Sequence, residues 1–281
     1  MSEDGVPPLP AGVSMAVRKW DVIDSLRRRN SLKTFVQILT PSTGPDMHGR
    51  VEITRFGSAT TLMYAVDRQR RDREVVRALP TLDELEASLR ARPLHTDMVL
   101  VDCWHSHDDT VRCISMARSM LTNGGFIVVH DCDPPDRATS TADPEGYYWC
   151  GVAWQGFVDA TAALPADAQW WVVESDFGIG VIAITKSSIR RTVGATARRL
   201  AAPLRRGNRA TPGRRVEIPH DHDEAWDWFV EHRTAVLRPV SAQAWLASVD
   251  TQNPLDPLDP LDPLDPLETD SRALSPTMSG G

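Results

Sequence analysis

No two of the four cysteines, Cys103, Cys113, Cys132 and Cys150, stand in CxxC spacing, which argues against a disulfide scaffold and against a zinc ribbon. Reduced thiols are expected. No run approaches the ~18 apolar residues of a membrane span. The opening stretch MSEDGVPPLPAGVSM is acidic and proline-rich where a signal peptide is basic and then apolar. The expectation is a cytoplasmic protein with no membrane span. Excess positive charge is missing too: 31 Lys and Arg stand against 38 Asp and Glu, so the whole chain gives no argument for nucleic acid. A nucleophile elbow and an HxH pair on a strand are both absent, which leaves a metal-dependent hydrolase unsupported. At 281 residues there is room for one α/β domain with appendages, or for two small domains.

What is present centres on Asp97 to Pro135, DMVLVDCWHSHDDTVRCISMARSMLTNGGFIVVHDCDPP. Met98 to Val101 is a continuous apolar run, as in a strand buried on both faces of a parallel sheet. Asp102 follows at its end. Cys113, Ile114, Ala117, Met120 and Leu121 paint one face of a helix whose first turn carries Asp108 and Asp109 against the helix dipole. Asn123-Gly124-Gly125 is expected to stop that helix, and Phe126 to Val129 to form a second buried strand ending in His130-Asp131. Adjacent parallel strands would deliver Asp102, His105, His130 and Asp131 to one sheet edge, where open α/β folds bind ligands.

Around this centre the chain divides into five parts. Residues 1–15 read as a flexible leader, and residues 16–185 as an α/β domain. Within that domain, Val17, Trp20, Ile23 and Leu26 fit a helical stripe, and Thr34 to Leu39 (TFVQIL) is the first strong strand. The loop Thr40-Pro41-Ser42-Thr43-Gly44-Pro45 follows it with a single glycine. It reads as an ordinary turn or as a cofactor cradle thinner than G-x-G-x-x-G. Thr61 to Val66 is a second strand candidate followed by Asp67, either a ribose-binding carboxylate or a solvated charge. Val75 to Leu79 is a candidate third strand. Leu82 to Leu89 is a helix capped by Thr81 with Glu84 three residues on. Tyr147 to Leu164 is expected to be an aromatic helix, and Gln169 to Val173 with Gly180 to Ile184 an antiparallel hairpin. Residues 186–215 hold ten basic residues and no acidic one. They suit a solvated helix, an acidic partner or a membrane surface. Residues 216–250 form a helical appendage. Residues 251–281, with proline at every third position from Pro254, read as an extended, disordered tail.

The motifs VDCWH and GGFIVVHDCDPP, with the hairpin ESDFGIGVIAI, resemble the class I S-adenosylmethionine-dependent methyltransferases of the small-molecule and sugar O-methyltransferase type. The resemblance runs in outline from Leu32 to Ile184. It implies a Rossmann-like α/β fold with a seven-stranded sheet, mostly parallel and closing in an antiparallel hairpin. It also implies methyl transfer to a hydroxyl of a small-molecule or sugar acceptor; a homo-oligomer is a separate expectation that the resemblance does not carry. Gln37 stands at the family's acidic position, and Leu39 and Pro41 stand where glycines are usual. S-adenosylmethionine would then be held by Gln37, Thr40, Ser42, Gly44 and Asp67.

By the same resemblance a divalent metal, Mg²⁺ or Mn²⁺, would be held by Asp102, His130 and Asp131, with His105 and Asp102 catalytic and His105 the base. A histidine among the ligands favours softer ions over Mg²⁺. Each residue also has a plainer reading. Asp102 could cap the following helix, and His105 could be a hydrogen-bonded turn residue. His107 could simply begin the helix, and the aromatics of 147–154 could pack in the core or line a sugar pocket. A rival to the enzyme is a methyltransferase-like protein that has lost the cofactor and serves as a binding partner.

Overall fold

Apolar runs flanked by turn residues become the strands of one sheet. The structure, a computed structural model, describes residues 7–41, 53–66, 79–165, 168–184 and 217–250. Helix α1 (Lys19–Asn30) leads into β1 (Thr34–Leu39) and β2 (Ser58–Met63). Then come α2 (Leu82–Ala91), β3 (Thr96–Asp102), α3 (His107–Met120) and β4 (Leu121–Val129). Helix α4 (Ala153–Ala162) precedes β5 (Ala168–Glu174) and β6 (Ile179–Ile184). The chain continues through α5 (His222–Leu237), β7 (Pro239–Ser241) and α6 (Ala242–Asp250).

The sheet has seven strands in the order β2-β1-β3-β4-β6-β5-β7. Strand β6 is antiparallel to both β4 and β5, and the other pairings are parallel. This is the mixed Rossmann-like sheet expected. Its seventh described strand is β7, which pairs parallel with β5 at the edge; residues 75–78 of the candidate third strand lie outside the described residues.

Two apolar layers sandwich the sheet. One packs Val36, Ile38, Val99, Val101 and Ile127 against α2, α3, α4 and α5. The other packs Phe35, Met98, Leu100 and Val128 against α1 and Trp245 of α6. Helix α2 begins with the expected capping box, in which Thr81 Oγ1 accepts from the Glu84 N–H and the Glu84 carboxylate accepts from the Thr81 N–H. No helix among the described residues is long and apolar enough to cross a membrane.

Several local expectations are corrected. Helix α3 ends at Met120, and Leu121 is already extended, so Asn123-Gly124-Gly125 lies within β4. The glycines serve an irregularity there: pairing jumps from Thr96 with Leu121 to Met98 with Phe126, and a Cβ on Gly125 would lie 2.7 Å from the Asp97 carbonyl oxygen. Strand β2 spans Ser58–Met63 rather than Thr61 to Val66. Just past its end, the Tyr64 N–H still donates to the Leu39 carbonyl at 3.2 Å, and the Tyr64 hydroxyl donates to Asp109 Oδ2 at 2.7 Å. The aromatic segment is helical only from Ala153. Gly151 is left-handed (φ 59), and a Cβ on it would sit 2.3 Å from the His105 carbonyl oxygen. Val152 N–H donates to that same oxygen, so residues 147–152 are tied to the loop after β3 as a non-helical strap.

Residues 7–15, read as leader, lie against the β5–β6 turn. The Ser14 carbonyl accepts from Ser175 Oγ at 3.0 Å and from the Asp176 N–H at 2.8 Å.

That turn holds Asp176, Phe177 and Gly178 in succession at positive φ (51, 59 and 86). A Cβ on Gly178 would lie 2.3 Å from both Asp133 N and Asp133 Cβ. Gly178→Ala is expected to cost about 2 kcal/mol or more, because it adds left-handed strain to a backbone clash. Equilibrium denaturation checks this.

Candidate active site

Three chain segments end at the carboxyl edge of the sheet and supply the site. Strand β3 ends in Asp102, buried beside Leu39 of β1 in the sheet register. Strand order reverses between β1 and β3, since β2 lies on one side of β1 and β3 on the other. Asp102 thus stands at the topological switch point, where open α/β sheets bind ligands. Helix α3 is capped by Ser106, whose Oγ accepts from the Asp109 N–H at 3.2 Å. The N-cap residue is therefore Ser106 and not Asp102. Strand β4 delivers His130 and Asp131, the latter at positive φ (59). The β5–β6 turn adds Asp176.

The expected residues meet. His105 Nε2 lies 3.1 Å from Asp131 Oδ2 and 3.7 Å from Asp102 Oδ1. His130 Nδ1 lies 3.0 Å from Asp131 Oδ2, and its Nε2 is 3.4 Å from Asp176 Oδ2. His105 Nδ1 faces the Trp149 carbonyl at 3.0 Å. A carbonyl only accepts, so Nδ1 carries the hydrogen, and in the neutral ring the lone pair is on Nε2. His105 Nε2 and His130 Nε2 are buried without a well-directed hydrogen bond, although carboxylates lie close to both.

Sequence reasoning missed two members. Lys19, the first residue of α1, places Nζ 2.6 Å from Asp102 Oδ2, and its backbone N–H donates to Asp176 Oδ2 at 2.9 Å. Asp176 could have been found, because a hairpin leaving β5 must turn at the carboxyl edge. Lys19 left no such signal: it lies outside the apolar stripe of its helix.

The electrostatics are mutual. Burial opposes charge on Asp102, but Lys19, His105 and His130 outweigh it and hold its pKa far below the usual carboxylate range. Burial likewise opposes charge on His130, yet Asp131 and then Asp176 lift its pKa to about 10. Asp176 is lowered to about 2, with His130 overcoming burial. His105 is raised above 6.5 against burial, chiefly by Asp131 and Asp102. Lys19 is raised against burial by Asp102.

A cavity of about 190 Å³ opens over this cluster. His130, Asp131 and Asp176 form its polar side, and Tyr147, Tyr148, Trp149 and Phe177 its aromatic side. The Tyr148 hydroxyl donates to the Pro7 carbonyl at 2.8 Å. Of the aromatics of 147–154, Tyr147 to Trp149 line this cavity while Trp154 is core.

Asp102, His105 and Asp131 offer ligand atoms within 4.8 Å of one another. His105 thus takes the place in the ligand set that His130 was expected to fill. The donor types suit a borderline divalent ion, but the charge does not. Asp102 Oδ2 already holds the Lys19 ammonium, and Asp131 Oδ2 faces His130 at 3.0 Å. A divalent ion would enter a buried cage whose carboxylates are already matched by the chain's own cations. The residues therefore do not fit a metal well.

For S-adenosylmethionine the described residues offer Gln37 and Thr40, both buried on or just after β1. Gln37 Nε2 donates to Thr61 Oγ1 at 2.7 Å, while its Oε1 is buried without a partner. A spare acceptor suits a cationic donor such as the cofactor's amino group. Ser42, Gly44 and Asp67 lie outside the described residues, as do the basic segment 186–215 and the tail 251–281. His107, away from the cage, bridges Asp108 (2.8 Å) and Asp159 (2.9 Å) and joins α3 to α4.

No family model matches the chain, and no curated protein matches it. Among solved structures, it is similar to an O-methyltransferase from Bacillus cereus in complex with SAH, at 13% identity over 63% of this chain and 84% of that one, TM-score 0.38. It is also similar to the O-methyltransferase TomG from Streptomyces achromogenes in complex with SAM, at 16% identity over 60% and 80%, TM-score 0.40. A third is the MycE methyltransferase of the mycinamycin biosynthetic pathway, in complex with Mg, SAH and mycinamycin VI, at 14% identity over 74% and 54%, TM-score 0.35. Likeness this distant transfers no residue role, and what the site can do rests on its own geometry.

Proposed function

We propose that the chain transfers a methyl group from S-adenosylmethionine to a hydroxyl of a small molecule or sugar. The observation that carries this reading is the convergence of Asp102, His105 and Asp131 beside the switch point of the sheet, under an aromatic-walled cavity. When bound, S-adenosylmethionine supplies an electrophilic methyl group. Gln37 and Thr40 would hold its methionine end.

The chain's own task is to handle a proton. A neutral hydroxyl is a weak nucleophile, so its proton must leave as the new bond forms. Asp131 lines the cavity and accepts the acceptor's hydrogen bond. His105 lies behind it, with Nε2 3.1 Å from Asp131 Oδ2, and takes the proton once neutral. The Trp149 carbonyl keeps the hydrogen of neutral His105 on Nδ1, which leaves Nε2 open for it. The aromatic walls offer flat faces to an apolar ring or the C–H face of a sugar.

One observation favours the second reading, a methyltransferase-like binding partner without cofactor. Lys19 is anchored on Asp102 in the crevice between β1 and β3, where a ligand would otherwise enter. Calorimetric titration with S-adenosylmethionine and S-adenosylhomocysteine separates the two. Micromolar binding is expected, and absence of heat with both ligands would reject methyl transfer in favour of the partner role.

His105→Ala is expected to lower turnover by roughly 100-fold or more while leaving cofactor affinity nearly intact; unchanged turnover would dismiss His105 as the base. The reaction needs neutral His105, whose pKa is raised above 6.5. The rate should therefore climb with pH along a limb above 6.5. Asp131→Asn removes the main source of that shift and should move the limb downward, a displacement read from kcat/KM against pH.

A further inference from the structure

Lys19 makes two contacts with the cage from a single residue. Its ammonium sits on Asp102 Oδ2 at 2.6 Å, and its backbone N–H donates to Asp176 Oδ2 at 2.9 Å. The segment before it is fixed to the same turn: the Val17 N–H donates to Ser175 Oγ at 3.1 Å, and the Asp176 N–H to the Ser14 carbonyl at 2.8 Å. Only 17% of the Lys19 side chain and 3% of the Asp102 side chain is exposed, so water screens the pair weakly. The ammonium is therefore built into the site and is no wandering surface charge.

We propose that Lys19 is the resident cation of this site, filling electrostatically the place of a divalent ion and excluding one from Asp102, His105 and Asp131. A divalent ion would share the Asp102 carboxylate with an ammonium held on its other oxygen, so each cation weakens the hold of the other. In this position the ammonium keeps Asp102 ionised and adds positive potential where an acceptor oxygen develops negative charge. Lys19 is thus a positioning and electrostatic residue. Its catalytic consequence rests on the methyl-transfer reading, whereas exclusion of metal does not.

The test is a Mn²⁺ titration of the full chain followed by the electron paramagnetic resonance signal of free Mn²⁺. Wild type and Lys19→Arg are expected to leave the ion free. Lys19→Ala should take up one ion, with affinity roughly tenfold or more above wild type, and Asp102→Asn in that background should abolish the uptake. The proposal is overturned if wild type itself binds one Mn²⁺ that Asp102→Asn removes. It is overturned equally if Lys19→Ala, shown folded by circular dichroism, binds no tighter than wild type. Should Lys19→Ala not fold, the wild-type titration decides alone: an Asp102-dependent ion sinks the proposal and a free ion supports it. Turnover adds a second reading. A rate unchanged by EDTA supports the resident cation, and a rate lost to EDTA and restored by Mn²⁺ contradicts it. If calorimetry finds no S-adenosylmethionine binding, the methyl-transfer reading falls while the Mn²⁺ result keeps its meaning.

Discussion

A carboxylate removed from water costs several kcal/mol unless a cation accompanies it, and the carboxyl edge of this sheet buries three, Asp102, Asp131 and Asp176. The cations that permit this come from different places in the chain. Lys19 arrives from α1, His105 from the loop after β3, and His130 from the end of β4. No pair in this set is independent of the others: Asp131 faces both histidines, His130 reaches Asp176, and Asp176 holds the backbone of Lys19. The cage is therefore a tertiary lock as well as a candidate site.

The lock explains where the N-terminal segment goes. A stretch rich in proline and poor in bulky apolar residues has little burial to drive its docking. Hydrogen bonds do so instead, from the β5–β6 turn to the Ser14 carbonyl and from Tyr148 to the Pro7 carbonyl. They act on a segment already tethered at Lys19. The same turn holds two non-glycine residues, Asp176 and Phe177, at positive φ, so strain is stored beside the cage.

Much of this was legible in sequence because it depends on periodicity and topology. The apolar runs TFVQIL and MVLV place β1 and the buried part of β3 within a residue or two, and Thr81 with Glu84 announces α2. Parallel strands carry Asp102 and His130-Asp131 to one edge whatever the side-chain details. What was not legible depends on contacts between distant segments. The 3.6-residue pattern of Tyr147 to Leu164 is real, but its first part is held out of the helix by Gly151 against His105, and nothing local reports that. Asn123-Gly124-Gly125 fits a helix stop as well as a strand irregularity until the pairing partner, β3, is known. Lys19 meets Asp102 across 83 positions, a juxtaposition set by how α1 crosses the sheet.

The cage also bears on which acceptors suit the cavity above it. Its polar side sets Asp131 and Asp176 against the one histidine His130, so an anionic ligand would meet like charge with little to offset its own desolvation. A neutral hydroxyl loses less on leaving water, and it can donate to Asp131. The aromatic side, Tyr147, Tyr148, Trp149 and Phe177, rewards a flat or C–H-rich face. Under the proposed methyl transfer, this polar side and the aromatic surface beside it would favour a hydroxylated ring without negative charge. Under the same proposal, the proton released from such a ring would pass by way of Asp131 to neutral His105, whose Nε2 lies 3.1 Å from Asp131 Oδ2.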